Sequence, residues 1–220
     1  PVKGPSISIK LSALHPRYEL GKRERVLKEL VPRLLTLAQE AKEANCALTI
    51  DAEEAERLDL SLDVIETVFL DKALDGWDGF GLAVQAYQKR ASYVVDWVAE
   101  LAKRGGRRLM VRLIKGAYWD AEIKQAQILG LKDFPVFTRR CHTDVSYQAC
   151  VRKLLEYREF IYPAFATHNA YSAAFVLEQI KKIEKTGEKF AFEFKCLHGM
   201  GKELYEQIVQ EDKLNIPCRI

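Results

Sequence analysis

The feature that most constrains this chain is an alternation repeated along its whole length. Short apolar, β-branched runs are separated by longer segments whose apolar residues recur at helical spacing. The short runs predict strands at Ser6–Leu11, Ala47–Asp51, Phe80–Gln85, Leu109–Lys115, Ile161–Thr167, Phe190–Cys196 and Pro217–Ile220. Arg23–Ala44 places Val26, Leu27, Leu30, Leu34, Leu37, Ala38 and Ala41 on one helical face. Ser61 is the expected cap of a helix that turns Leu62, Ile65, Val68 and Phe69 inward. Val94, Val95, Val98, Leu101 and Ala102 repeat the pattern, as do Phe175, Val176, Ile180 and Ile183. The long interval Ala117–Phe160 predicts two helices, around Asp120–Leu129 and Thr143–Tyr157, with Phe134-Pro135 as the break.

Strands that are apolar throughout and joined by helices pair in parallel, with both faces covered, so the class is α/β. A doubly wound sheet and a closed barrel both satisfy that pattern. The strand ends decide between them. Lys10, Asp51, Gln85, Arg112 with Lys115, Thr167-His168-Asn169 and Lys195-Cys196-Leu197-His198 put polar groups at the C-terminal end of nearly every strand. A (β/α)8 TIM-like barrel gathers all such ends around one mouth, whereas a doubly wound sheet uses those near its switch point. No G-x-G-x-x-G follows the first strand; Gly79-Phe80-Gly81 precedes a strand and lacks the third glycine. With seven strands and six crossovers, residues 1–220 are expected to form an incomplete barrel, an excerpt lacking the first strand and helix and the last helix.

Composition narrows the function. Hydrophobic residues make up 48% and charged residues 30%, as in a globular domain rather than a disordered one. The 34 basic and 31 acidic residues are interspersed, without the basic stripe that direct nucleic-acid contact requires. No apolar run approaches the roughly 20 residues of a bilayer span, and Pro1-Val2-Lys3-Gly4-Pro5 does not open a signal peptide. Cys46, Cys141, Cys150, Cys196 and Cys218 are scattered and free of C-x-x-C spacing, a pattern of reduced thiols in a cytosolic protein.

Arg112-Leu113-Ile114-Lys115-Gly116-Ala117-Tyr118-Trp119 is the most informative stretch. Alternation points Arg112 and Ile114 to one side of the strand, with Lys115 near its end. Two cations beside a glycine suit an anionic ligand whose approach needs a missing side chain, and Tyr118 and Trp119 offer flat surfaces for a ring. The competing reading pairs Arg112 with a carboxylate such as Asp51 and buries the aromatics. Lys10, in an otherwise apolar strand, fits a Schiff-base lysine, a carboxylate anchor or an ion pair with Asp51. Metal-ligand spacing is absent around His168 and His198, while His15 and His142 fall in loop or helix contexts, so no metal is expected. Lys181–Lys189 reads as a solvated helix end and turn.

Six motifs together resemble the proline dehydrogenase domain of the bacterial proline utilization A family. They are Ser8–Pro16, Asp51-Ala52-Glu53-Glu54-Ala55, Gln85–Arg90, Arg112–Trp119, Phe165–Ala170 and Cys196-Leu197-His198-Gly199-Met200-Gly201. The resemblance implies a (β/α)8 barrel with non-covalent FAD at its C-terminal mouth. It implies oxidation of L-proline to Δ1-pyrroline-5-carboxylate by hydride transfer to flavin N5, the first step of proline catabolism to glutamate. Carried over by position, Arg112 would stabilise the reduced flavin and Gln85 would bond the isoalloxazine edge. Asp51, Ile114, Lys115, Gly116, Ala117, Trp119, Thr138, Arg139, Thr167, His168, Asn169, Lys195 and Cys196 would complete the cofactor site. Lys195 stands where family members often place a neutral glutamine. Lys10 and Asp51 would line the proline pocket as a charge pair, with Tyr118 and Leu197 packing on the pyrrolidine ring, and Arg112, Lys10 and Asp51 would carry the catalysis. Beyond Ile220 the family has a tyrosine, then a helix with two adjacent arginines and a glutamate. The family's electrons pass to membrane quinone and an aldehyde dehydrogenase domain follows on the same chain, so the location implied is cytoplasmic and peripheral to the inner membrane. Schiff-base lyase or aldolase chemistry at Lys10 or Lys115, and an inactive barrel fragment, are the alternatives.

Overall fold

The computed structural model describes residues 4–187, 190–211 and 217–219. In chain order the elements are β1 (Ser6–Ile9), α1 (Leu11–Leu14), α2 (Arg23–Glu43), β2 (Ala47–Ile50), α3 (Leu58–Phe69), β3 (Phe80–Gln85), α4 (Ala91–Arg104), β4 (Leu109–Ile114), α5 (Trp119–Ile128), α6 (Arg140–Glu156), β5 (Ile161–Ala166), α7 (Ala170–Glu184), β6 (Glu193–Lys195), α8 (Lys202–Glu211) and β7 (Cys218–Arg219). The seven strands form one sheet in sequence order, every neighbouring pair parallel. The sheet curls far enough for Arg219 Nη1 on β7 to donate to the Gly4 carbonyl, just ahead of β1, at 2.7 Å. This is an incomplete TIM-like barrel, as the strand ends predict.

Alternation along each strand sorts residues into two layers. Leu48, Ile50, Leu82, Val84, Val111, Leu113, Phe165 and Phe194 face outward and join Leu30, Leu34, Val95, Val98, Leu154 and Val176 from the helices in one core. Each such apolar side chain contributes about 1.5–3 kcal/mol through its burial. The inward layer is different: Met110, Tyr162 and Ala164 form a small apolar plug of their own. Polar side chains stand beside and above that plug, toward the C-terminal ends. Gly81 registers with Met110, and a Cβ there would overlap the Met110 side chain, so the plug requires a glycine opposite it.

Several boundaries differ from the sequence expectation. The first strand stops at Ile9, because Leu11–Leu14 turns into a short helix that buries Leu11. Lys10 thus sits at the strand end rather than within the strand. Ser61 caps nothing: α3 starts at Leu58 after a 3-10 turn at Ala55–Arg57, and the Ser61 hydroxyl donates to the Leu58 carbonyl at 2.7 Å. The sixth strand is only Glu193–Lys195. α8, with Leu204, Tyr205 and Ile208 at helical spacing, escapes the periodicity reading because its apolar face is short. Pro1–Lys3, Glu188, Lys189 and Ile220, which fall in expected segments, lie outside the described residues.

Candidate active site

Side chains from three strands, β1, β2 and β4, meet at Asp51. Its Oδ2 accepts from Lys10 Nζ at 2.7 Å, and its Oδ1 accepts from Arg112 Nη2. Arg112 Nη1 also donates to Ser8 Oγ at 2.9 Å, on β1. Register explains the reach: Arg112 lies between Ala83 on β3 and Ala164 on β5, both too small to block the guanidinium. The pair reading of Arg112 is therefore realised in geometry. It is realised at the open end of the lumen, with the Lys10 side chain 46% exposed and those of Asp51 and Arg112 near 19% and 18%. Burial alone would push the Asp51 carboxyl up, but hydrogen bonds from Lys10 and Arg112 outweigh it and hold the group below its usual range. The same bond to Asp51 holds the Lys10 ammonium above its usual range, so both charges persist at neutral pH.

The tier above Arg112 carries Gln85, Ile114, Ala166 and Lys195. Gln85 is buried; its Oε1 accepts from Gln88 Nε2 at 2.8 Å, while its Nε2 has no partner. A buried, unpaired amide donor at a barrel mouth calls for an acceptor from a ligand. Burial, reinforced by the positive field of Arg112, draws the Lys195 ammonium down despite Glu193 beside it at 3.4 Å.

The loop from Lys115 to Tyr118 forms one rim. Lys115 points away from the lumen, into a 2.6 Å ion pair with Asp144 on α6. Gly116 has φ +140°, and its missing Cβ lets the backbone lie directly on the Tyr87 ring. Ala117 is exposed and Tyr118 half-buried. Trp119 opens α5 and donates from Nε1 to the Phe137 carbonyl at 2.9 Å, so Thr138 and Arg139, both exposed, stand beside it. Trp119 is 41% exposed, which overturns the reading of it as core. The opposite rim is tied by His168, whose Nε2 accepts from the Leu197 backbone at 3.0 Å, and by the Tyr205 hydroxyl on the Thr167 carbonyl. Asn169 caps α7 through Ser172. Leu197 is 64% exposed and Cys196 half-buried.

A family model described as proline dehydrogenase matches residues 1–220. The chain belongs to the proline dehydrogenase family. It is 52% identical to the bifunctional protein PutA of Klebsiella aerogenes over 221 residues, 99% of this chain and 17% of that protein. The PutA of Rhizobium meliloti is 55% identical over 218 residues, again 99% of this chain and 17% of that protein. A solved variant of Bradyrhizobium japonicum proline utilization A superposes with a TM-score of 0.92 at 56% identity, covering 98% of this chain and 21% of that one. The Bdellovibrio bacteriovorus enzyme inactivated by N-propargylglycine gives 0.89 at 30% identity, covering 96% and 22%. The chain thus spans about a sixth of the length of these curated PutA relatives.

Within this proline dehydrogenase barrel, the residues singled out from sequence fall into two groups. Lys10, Asp51, Gln85, Arg112, Ile114 and Lys195 share the lumen, whereas Lys115, Thr138, Arg139, His168 and Asn169 lie in the loops around it. Sequence reasoning missed Ser8, Glu193, Arg219 and Glu122. Ser8 was legible, because Ser6, Ser8 and Lys10 share a face at period two. Glu193 and Arg219 belong to strands too short for alternation to show. Glu122, on α5, is buried and accepts from the Ala55 backbone at 2.6 Å, clipping the loop after β2 to the helix after β4. Burial, with Glu54 and Glu56 nearby, pushes its carboxyl up. Among the described residues no cluster of three metal-ligating side chains occurs, and no helix is long and apolar enough to cross a membrane.

Proposed function

We propose that this chain carries the site of an FAD-dependent oxidation of L-proline to Δ1-pyrroline-5-carboxylate, the first step of proline catabolism to glutamate. The observation that carries the reading is the Lys10–Asp51–Arg112 trio at the open end of the lumen. Proline brings a carboxylate and a secondary ammonium, and the trio supplies both signs at once: Lys10 for the carboxylate, Asp51 for the ammonium.

The residues fit a flavin. Gln85 Nε2 and Arg112 Nε are buried donors without a partner, and a ring with acceptor edges would supply what they lack. At Gly116 the backbone lies against the Tyr87 ring where any side chain would collide, which sets the course of the loop along the rim. Gln85, Arg112, Ile114, Gly116, Ala117, Lys195 and Cys196 would hold the isoalloxazine and ribityl portions. Asp51 would border the ring. Lys115, Trp119, Thr138, Arg139, Thr167, His168 and Asn169 would hold the pyrophosphate and adenine. FAD, when bound, supplies the acceptor for the hydride that leaves the proline carbon next to nitrogen.

The chain's own residues then do electrostatic and steric work. Arg112, fixed between Asp51 and Ser8, presents a guanidinium whose position needs no adjustment as charge develops, which is how preorganised donors lower a barrier. Lys10 orients the carboxylate, and Tyr118 and Leu197 close over the ring and exclude water. Quinone as the electron acceptor, an aldehyde dehydrogenase partner on the parent chain and a cytoplasmic, membrane-peripheral location complete the reading. They rest on the likeness to bifunctional PutA.

An absorbance scan of the purified protein, followed by proline-dependent dye reduction, tests this directly. Flavin bands that bleach with proline are expected; a colourless protein without proline-dependent reduction overturns it. Schiff-base lyase chemistry is disfavoured by the two candidate amines themselves. Lys10 is held charged by Asp51, and Lys115 is paired with Asp144 outside the lumen, so neither is a free nucleophile. Borohydride trapping with substrate would expose such chemistry.

A further inference from the structure

Among the described residues, the inward-facing positions of the strands and of the residues just after them hold four cations and two carboxylates. Each carboxylate serves two cations. Asp51 takes Lys10 and Arg112, while Glu193 takes Arg219 at 2.7 Å and Lys195 at 3.4 Å. Among the described residues, these inward-facing positions thus hold two more cations than carboxylates. Such a surplus is costly where it is enclosed, as at Lys195 and not at the 46% exposed Lys10, unless a ligand brings the balancing charge.

The first surplus is met by the proposed substrate carboxylate at Lys10. The second belongs to the trio on β6 and β7. Glu193 is 1% exposed, and Arg219 already bonds it closely. Lys195 is at ion-pair distance but beyond the usual 2.7–3.2 Å of a hydrogen bond to nitrogen, so Glu193 engages it weakly, and an ammonium with three protons keeps donors for a further acceptor. Its side chain is only 12% exposed, so bulk water does not meet the need either. Register puts Lys195 level with Gln85 and Ile114, one tier closer to the mouth than Arg112. That is the tier in which Gln85 Nε2 also lacks a partner.

We propose that Lys195 is a second flavin-facing cation, which with Arg112 stabilises the negative charge gathered on the ring during reduction and so raises its reduction potential. The inference rests on the FAD reading above. Arg112 and Lys195 approach the lumen from β4 and β6, two strands apart, so they address different edges of one planar ligand. A unit charge beside the ring in a partly buried site is enough, after screening, for about a tenfold effect on an equilibrium.

The test is the midpoint potential of FAD-loaded protein, measured spectroelectrochemically for the unaltered chain and for Lys195→Gln, Lys195→Met and Lys195→Arg. Both neutral replacements should disfavour two-electron reduction about tenfold, lowering the potential by about 30 mV, while Lys195→Arg keeps it. Met retains the apolar stem and covers the case in which Gln fails to fold. Neutral variants that load FAD fully and keep the original potential overturn the role of Lys195 alone. If the unaltered protein takes up no FAD, the flavin reading itself falls.

Discussion

The Arg112 guanidinium crosses β3 to bond the Asp51 carboxylate, because its neighbour Ala83 leaves the lumen open between them. This relationship fixes a cation at the mouth of the barrel in one orientation, and a first prediction follows from it. Arg112→Met should slow proline-dependent flavin reduction by about 10²–10³ while costing about 1–3 kcal/mol in stability, the scale of lost hydrogen bonds to a charged group. Asp51 keeps Lys10 as a partner in the variant, so no carboxylate is stranded. Stopped-flow bleaching and thermal melting measure the two effects. Parallel losses in both would return Arg112 to a purely structural role.

Asp51 makes a pH prediction. Its carboxyl is held below its ordinary value of 3.8, so the charged form is favoured in the folded state. The stability it contributes is present above 3.8 and is lost as pH falls through the lowered folded value. Asp51→Asn should therefore melt below the unaltered protein near neutral pH, and the gap should close in strong acid. A gap that stays constant across an acid titration contradicts the ion-pair origin.

Glu122 has the opposite sign. Burial raises its carboxyl above 4.5, so the folded state loses stability as pH rises from 4.5 through the raised value. Glu122→Gln keeps an oxygen for the Ala55 amide without the buried charge. It should leave the melting temperature at neutral pH unchanged or raise stability by up to about 1 kcal/mol. A marked destabilisation at neutral pH would mean that the charge itself holds the two loops together.

Gly116 is tested by Gly116→Ala. At φ +140° a side chain is strained, and a Cβ would overlap the Tyr87 ring. The expected cost is about 1–3 kcal/mol, together with reduced FAD stoichiometry because the Lys115–Tyr118 rim is pushed off the Tyr87 ring. Full FAD occupancy at unchanged melting temperature would show that the loop adapts.

Much of this was legible before any coordinates. Period-two alternation gave the inward face of β4, and the outward apolar runs gave parallel strands under helices. Ser61 misled because a serine before apolar residues looks like a cap, while the preceding 3-10 turn, which starts α3 at Leu58, has no such signature. Trp119 left two readings open, a ring surface or core, because aromatic identity alone does not say which side of a helix start it covers; its 41% exposure removes the core reading. Glu193 and Arg219 lie on strands of three and two residues, too short for a pattern to emerge.

By itself, then, the sequence determined the parallel α/β architecture and the ring of polar strand ends, since both follow from local periodicity repeated along the chain. Only the tertiary structure decided who partners whom. It gave Asp51 to Lys10 and Arg112 together, sent Lys115 outward to Asp144, and gave Glu193 to Lys195 and Arg219. Those pairings depend on strand register and on the curl that brings β7 near the start of β1, which no local pattern contains. The charge excess in the lumen, and with it the demand for anionic ligands, exists only once the strands are side by side.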